Sequence, residues 1–221
     1  MRIWSDSFAN GAEIPAACAF AVGDPDTHAK LSSNRNPHVA WDDVPPGTES
    51  LVLICHDPDV PLDACRVNKE GRTVPLTSPR RDFFHWTLAD IPVYLNSLAE
   101  GMFSDMVTPH GKPGPLVPFT IKNGTEHQLR QGVNDYTAWF ASDPDMAGEF
   151  FGYDGPSPPW NDERLHHYVF TLYALDIPRL PLVGRFTGRE ACMAIQGHIL
   201  DEARIFGTYA LNPHTLADLP E

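Results

Sequence analysis

The chain has 221 residues, of which 42% are hydrophobic, and its formal net charge is −13 at pH 7. A chain of this length can bury a sizeable core and falls in the range of one β-rich domain. The charge excludes broad binding of nucleic acids and of anionic membrane surfaces, since both would be repelled. A small anionic ligand is still compatible with it, because local dipoles and protonated groups govern a small pocket.

The N-terminal residues 1–15 lack the features of a signal peptide. No apolar stretch reaches the roughly 18–20 residues that a membrane span needs, so we expect a cytoplasmic protein without one. The four cysteines are scattered and form no Cys-x-x-Cys pair, so neither a zinc ribbon nor a thioredoxin-type site is predicted. In a chain of this size without a signal peptide we expect reduced thiols.

Twenty-two prolines and sixteen glycines divide the chain into short segments and predict a mostly β fold. Strands are predicted at 50–55, 83–88 and 168–175, where β-branched and aromatic residues are concentrated. The first is apolar throughout, as expected of a central strand covered on both faces. The stretches 60–82 and 96–155 are predicted as long loops, and the basic residues of the first are expected to be solvated.

Near the C-terminus the sequence predicts one helix and a closing strand. A capping-box pattern begins at Thr187 and apolar residues follow at helical spacing, which predicts a helix ending near Asp201. Alternation over 204–210 predicts a final strand. We therefore expect a single domain over residues 1–213 and a polar, frayed tail over 214–221.

Two carboxylates directly follow the first predicted strand. Asp57 and Asp59 stand in the sequence DPDVP, whose prolines stiffen a backbone that leaves the sheet at its rim. Taken alone, this segment is more simply explained as an ordinary Asx-type turn.

Histidines occur in two of the predicted strands. His85 lies between two aromatic residues, so its imidazole either faces a cavity or is buried with a hydrogen bond, and the second outcome is the commoner. His166 and His167 begin a later strand and point to opposite faces, so only one of them can enter a given pocket. Tyr168 shares a face with His166, which lets a phenol and an imidazole converge.

Together these segments resemble the phosphatidylethanolamine-binding protein family, in particular its bacterial Raf-kinase-inhibitor-like branch. The resemblance rests on DPDVP at 57–61 and on YDGPSPPWNDERLHHYVFTLYALD at 153–176, which are similar to the family's Asp-Pro-Asp-x-Pro and Gly-Pro-x-Pro-Pro…His-Arg-Tyr segments. The lead-in at 36–61, GVND at 132–135 and GHILDEARIFGTYALNP at 197–213 are similar as well, so the likeness spans most of the chain.

The resemblance implies a central antiparallel sheet, a second smaller sheet, few peripheral helices, and a pocket at one end of the sheet. That pocket would take phosphate, acetate or a phospholipid headgroup, and no cofactor is expected. The resemblance also suggests a homodimer, as in bacterial members of the family. A protein partner such as a kinase is suggested only by relatives, and no motif here supports it. Carried over position by position, the ligand-binding residues are Asp57, Asp59, His85, Gly155, Pro156, His166 and Tyr168.

The chemistry of these residues agrees with anion binding. An Asp beside a histidine raises the pKa of the imidazole and orients an N–H that can donate to a phosphate oxygen. We therefore expect His85 and His166 to contact the ligand. Asp57 and Asp59 would orient the two rings, and Tyr168 would add a hydroxyl donor.

Two features depart from the family pattern. His167 stands where the family has Arg, which removes a permanent charge and a five-donor group. The aromatic and acidic segment 136–151 occurs where relatives pass quickly to the Tyr-x-Gly-Pro sequence. It is a candidate for a lid, a dimer contact or a surface elaboration.

The leading hypothesis is a non-catalytic protein that binds a phosphate-like anion. The alternative is a hydrolase that acts on a phosphoester or ester through His/Asp general acid–base chemistry. The sequence has no Gly-x-Ser-x-Gly motif and no cysteine in a recognised catalytic signature, which favours binding. A metal site is a third possibility that ligand spacing does not support, and its ligands would be His56, Asp57, His85 and His166.

Overall fold

A computed structural model describes residues 1–120 and 126–215. Its strands are β1 (Arg2–Trp4), β2 (Ala21–Asp24), β3 (His28–Leu31), β4 (Val39–Asp42), β5 (Ser50–Pro61), β6 (Arg80–Ile91), β7 (Ser97–Leu98), β8 (Leu116–Thr120), β9 (Glu126–Gln131), β10 (His166–Leu175) and β11 (Ile199–Tyr209). The α-helices are α1 (Tyr136–Trp139) and α2 (Gly188–Ala194), and 3₁₀ helices occur at Ala16–Cys18 and Ala64–Arg66.

The strands form one main sheet and two smaller units. The main sheet has the order β11-β10-β5-β6-β9-β8, and each strand is antiparallel to its neighbours. β1, β4 and β7 form a three-stranded antiparallel sheet, and β2 pairs with β3 as a hairpin. The predicted mostly β fold, with a central antiparallel sheet and a smaller second sheet, is confirmed.

β5 is the central strand that the apolar run predicts. Leu51 and Leu53 pack into the large hydrophobic cluster on one face of the main sheet. Val52 and Ile54 pack into a second cluster on the other face, which includes Ala191 of α2. Because both faces are covered by apolar side chains, the strand needs no polar alternation.

β5 continues beyond its predicted end. It reaches Pro61, so Asp57 and Asp59 lie within the strand, and the prediction that they leave the sheet is wrong. The Asx-type hydrogen bond is present, because the side chain of Asp57 accepts the backbone N–H of Asp59. The pairing with β6 shifts register between Asp57 and Val60. An irregularity of this kind accommodates proline in a strand, because the missing N–H is not needed for the ladder there.

The C-terminal helix begins as predicted and ends early. Thr187 caps it, and both hydrogen bonds of the capping box are present. The helix ends at Ala194 rather than near Asp201, because Gly197 adopts a left-handed conformation with φ of 83° and turns the chain. β11 therefore begins at Ile199, earlier than the predicted closing strand.

Neither predicted long loop is free of regular structure. The stretch 96–155 contains β7, β8, β9 and α1, and its residues 121–125 lie outside the described part. Pro118 is tolerated in β8 because this strand lies at the edge of the main sheet. The stretch 60–82 contains a 3₁₀ helix and the ends of two strands. Of the predicted tail 214–221, residues 216–221 lie outside the described residues.

The α-helices are short, with four residues in α1 and seven in α2. The prediction of few peripheral helices is confirmed. In the part of the chain that the structure describes, no helix has both the length and the apolar character that crossing a membrane requires.

Candidate functional site

A cavity of about 260 Å³ lies where β5 ends and where β6 and β10 begin. These strands are antiparallel neighbours, so the end of one lies beside the beginnings of the other two. They supply three polar residues, Asp57, His85 and Tyr168, which we call the floor. β5 and β6 also contribute the apolar residues Val60, Pro61 and Phe83. The other lining residues come from β3, α1 and loops: Phe20, Leu31, Val67, Asn68, Tyr136, Trp139, Phe140 and Ser157 to Pro159.

His85 both lines the cavity and makes a buried hydrogen bond. Its side chain is 3% exposed, and its Nδ1–H donates to the backbone carbonyl of Asp154 at 2.7 Å. Burial lowers the pKa of this imidazole to about 4, although the charge of Asp57 opposes the shift. The ring is therefore neutral at pH 7, with its proton on Nδ1 and an acceptor at Nε2.

Asp57 is a buried carboxylate surrounded by donors. One oxygen accepts the backbone N–H of Asp59 at 2.7 Å, and the other accepts Nδ1–H of His166 at 2.6 Å. The hydroxyl of Tyr168 also hydrogen-bonds to it, and burial together with the charge of Asp57 holds the pKa of that phenol well above its ordinary value. The carboxylate thus accepts hydrogen bonds from three neighbours.

His166 lies behind the floor and not in the cavity lining. Its second nitrogen, Nε2, donates to Asp162 at 3.1 Å, so that a carboxylate holds each ring nitrogen. Burial disfavours the charged ring, but Asp57 and Asp162 outweigh this effect and raise the pKa of His166 to about 9. The sequence predicts that His166 contacts a ligand, but His166 is not placed to do so in the cavity. It is instead an imidazolium that bridges two aspartates.

Arg80 completes this buried chain of charges, and sequence reasoning missed both Arg80 and Asp162. The guanidinium donates to both oxygens of Asp162, at 2.5 and 3.0 Å, and its side chain is 11% exposed. The expectation that Arg80 is solvated is thus wrong. Burial acts to raise the pKa of Asp162, but hydrogen bonds from His166 and Arg80 lower it. Asp162 lies in an irregular segment, where no periodic pattern points to it.

Asp59 orients a different histidine from the one expected. It accepts the backbone N–H of His167 at 3.0 Å and its ring Nδ1–H at 2.8 Å. Arg164 also approaches it, at 3.3 Å. Hydrogen bonds from His167 lower the pKa of Asp59 against the effect of burial. The histidine that replaces the family's Arg therefore anchors the carboxylate of Asp59, and neither side chain lines the cavity.

Gly155 and Pro156 lie beside the lining, and their backbone groups are engaged within the protein. The N–H of Gly155 donates to Asn34, and its carbonyl accepts the hydroxyl of Tyr136. The carbonyl of Pro156 accepts two backbone N–H groups. The lining on this side is formed by the next residues, 157–159.

The segment 136–151 supplies part of the cavity lining. Tyr136, Trp139 and Phe140 line the cavity together with Phe20, and we call these four residues the aromatic wall. The ring of Phe20 stacks on Tyr136 at 4.5 Å and on Phe140 at 5.8 Å. The structure thus places the beginning of this segment at the cavity.

The described residues offer little for the enzyme and metal alternatives. No group of three or more His, Cys, Asp or Glu among them could hold a metal ion. All four cysteines are free thiols. Burial raises the pKa of Cys18 to about 12 and that of Cys55 well above its ordinary value, so neither supplies a thiolate nucleophile.

Comparison with known proteins identifies the family. A family model described as phosphatidylethanolamine-binding protein matches residues 4–210. The chain belongs to the phosphatidylethanolamine-binding protein (PEBP) family. Its relatives include a UPF0098 protein of Aquifex aeolicus, 29% identical over 95% of this chain and 88% of the relative, and UPF0098 protein YbhB of Escherichia coli, 26% identical over 95% and 100%.

Solved structures support the PEBP fold. That of E. coli YbcL, described as a new member of the mammalian PEBP family, has a TM-score of 0.64 and 20% identity, and the match covers 95% of this chain and 97% of YbcL. A putative PEBP homolog from Chlamydia trachomatis gives 0.59 at 24% identity, over 94% of this chain and 95% of that one. At these identities the likeness concerns the fold alone.

In this PEBP family member, the pKa values of two histidines are expected to be shifted in opposite directions. Side-chain NMR should show that His166 is protonated at pH 8 and loses its proton near pH 9, whereas His85 is neutral at pH 6 and gains a proton only near pH 4. The variants His85→Gln and His166→Gln assign the two signals. A His166 signal that titrates below pH 7 would show that the bridge between the aspartates is not formed.

The variant Asp162→Asn should destabilise the protein. Breaking a buried pair leaves an uncompensated charge, so we expect the free energy of unfolding in urea to fall by roughly 3–5 kcal/mol at pH 6. As control, Asp26→Asn changes an exposed residue and should stay within about 0.5 kcal/mol of the wild type.

The same variant tests the sign of the pH dependence. His166 binds its proton more tightly in the folded chain than in the unfolded chain. Its contribution to the stability of the fold is therefore complete below its ordinary pKa of 6.5 and is lost as the pH rises through about 9. The wild type should lose stability over this window, and Asp162→Asn should lose less. Equal slopes would contradict the role given to Asp162.

Proposed function

We propose that this PEBP family member is a non-catalytic binding protein whose cavity takes a small phosphate-like anion against His85. The observation that carries the proposal is the position of this imidazole. It lies in the floor, and Nδ1 is fixed by the carbonyl of Asp154, so Nε2 is the nitrogen left to meet a ligand. A ring oriented in this way gives a small oxyanion one well-defined partner.

The carboxylate of Asp57 does not forbid an anion in the cavity. The positive ring of His166 lies directly behind it, at 2.6 Å, and offsets its charge. Farther from the cavity, Asp162 is paired with Arg80 and Asp59 with Arg164. The floor therefore carries little net negative charge, and the dipoles of nearby groups decide what binds there.

Binding of an oxyanion requires a proton between the ligand and Nε2. In the free protein Nε2 is an acceptor, because the pKa of His85 is lowered to about 4. Either a phosphate monoanion donates its own O–H to Nε2, or the ring takes up a proton and donates to the anion. A charge-assisted hydrogen bond contributes roughly 1.5–3 kcal/mol, so affinity should be weak to moderate and should fall as the pH rises.

Turnover is not part of the proposal. The most basic imidazole near the floor, His166, has both nitrogens held by carboxylates, so neither nitrogen is left to act on a substrate. A homodimer, a protein partner and a cytoplasmic location stay predictions. Light scattering distinguishes a 24.5 kDa monomer from a dimer of twice that mass.

Replacing His85 should weaken phosphate binding. We expect His85→Ala to lower the affinity for inorganic phosphate, measured by isothermal titration calorimetry, by about tenfold or more, the loss of one charge-assisted hydrogen bond. The control His198→Ala removes a partly exposed histidine at the far end of the main sheet, paired with Asp176, and should leave the affinity unchanged. An unaltered affinity in a folded His85→Ala variant would refute the proposal.

The pH dependence of anion binding shows whether the proton at Nε2 comes from the ligand or is taken up by His85. Sulfate carries no titratable proton near neutral pH, so its binding requires protonation of His85. Its affinity should rise as the pH falls from 8 to 5, by up to about tenfold per unit, and calorimetry in buffers of different ionisation enthalpy should show proton uptake. Sulfate binding that is independent of pH would show that the anion does not contact His85.

A further inference from the structure

The cavity contains much more apolar surface than a bare oxyanion uses. Apart from the floor, Ser157 and Asn68, the lining residues are apolar or aromatic. An inorganic phosphate on the floor would leave this surface in contact with water. The lining therefore fits a ligand that joins an acid group to an apolar body.

The apolar surface consists largely of rings. In the aromatic wall, Phe20, Tyr136 and Phe140 stack with interplanar angles of 15° and 28° about Phe20. Trp139 of this wall is 40% exposed, so part of its indole is free to contact a ligand. The rigid rings of Pro158 and Pro159 also line the cavity. Aromatic faces suit a flat, rigid ligand.

The size of the cavity limits the apolar body. A volume of about 260 Å³ is at or below the lower end for pockets of drug-sized ligands, so the acyl chains of a phospholipid do not fit inside it. A single ring beside a phosphate group does fit. A rigid ring also loses less conformational entropy on binding than a flexible alkyl chain of similar area.

We infer that the ligand is a small aromatic acid of the phosphate type, whose ring packs against the aromatic wall. The inference rests on the proposed function, since it places the acid group at His85. Trp139 and Phe140 then determine specificity. Both belong to the segment 136–151, so this segment selects the body of the ligand while the strands hold its acid group.

Phenyl phosphate, methyl phosphate and hexyl phosphate are suitable probes, because they share the acid group and differ in the body. Calorimetry should show phenyl phosphate binding at least tenfold more tightly than methyl phosphate and more tightly than hexyl phosphate. Saturation-transfer NMR should show contact between the phenyl protons and the indole of Trp139. Hexyl phosphate binding as tightly as phenyl phosphate would overturn the preference for a ring.

A matched pair of tryptophan variants tests the position of the ring. Trp139→Ala should weaken binding of phenyl phosphate about tenfold and leave inorganic phosphate within twofold. Trp4→Ala removes an equally exposed indole, 41% against 40%, from β1, which contributes nothing to the lining, and should alter neither affinity. Phe140→Leu, which keeps an apolar side chain, should produce a smaller loss of the same kind.

The outcomes separate this inference from the proposed function. If inorganic phosphate binds and depends on His85, but phenyl phosphate gains nothing or is unaffected by Trp139→Ala, the aromatic ligand is overturned and the anion site stands. If no phosphate compound binds, or binding is independent of His85, both fail. A Trp139→Ala loss that is equal for all phosphates also overturns the inference, because the indole would then support the site and not the ring.

Discussion

The site depends on one buried imidazolium, His166, held between two carboxylates. Its bonds to Asp57 and Asp162 join β10 to β5 and to the irregular segment before β10, and Arg80 extends the chain of charges to the start of β6. Each buried charge is costly alone, and each is offset by its neighbours. The chain of charges thus positions three parts of the sheet at the end where the cavity lies.

This arrangement divides the work between two histidines of opposite electrostatic character. His166 is charged because carboxylates hold both of its nitrogens, and His85 is neutral because burial dominates its surroundings. The charged ring donates to Asp57, and Asp57 in turn accepts the hydroxyl of Tyr168. Groups whose pKa values are driven apart by their environment take different roles, here one that supports the floor and one that faces the cavity.

Sequence patterns predicted the parts of the fold that local physics dictates. The apolar run of β5, the aromatic run of β10 and the capping box at Thr187 each carry a strong signal. The sequence does not predict β8 and β9, because they are short strands in a stretch rich in Gly and Pro. It does not predict the end of β5, because the prolines there are typical of a turn. Whether such a segment forms a strand depends on pairing with a distant segment, and this pairing is not visible in a single sequence.

The site was predicted unevenly for the same reason. Asp57, His85 and Tyr168 belong to strands, where alternation fixes the side-chain direction, and the structure brings all three into the cavity lining. Asp162 and Arg80 depend on contacts between distant segments, so no local pattern distinguished them from solvated loop residues. The two parts of the cavity therefore come from different kinds of structure. Strands hold the floor by ladder bonds and buried charges, whereas α1 and the residues next to α1 and β2 supply the aromatic wall. The two parts meet at Tyr136, whose ring contacts that of His85 at 5.6 Å.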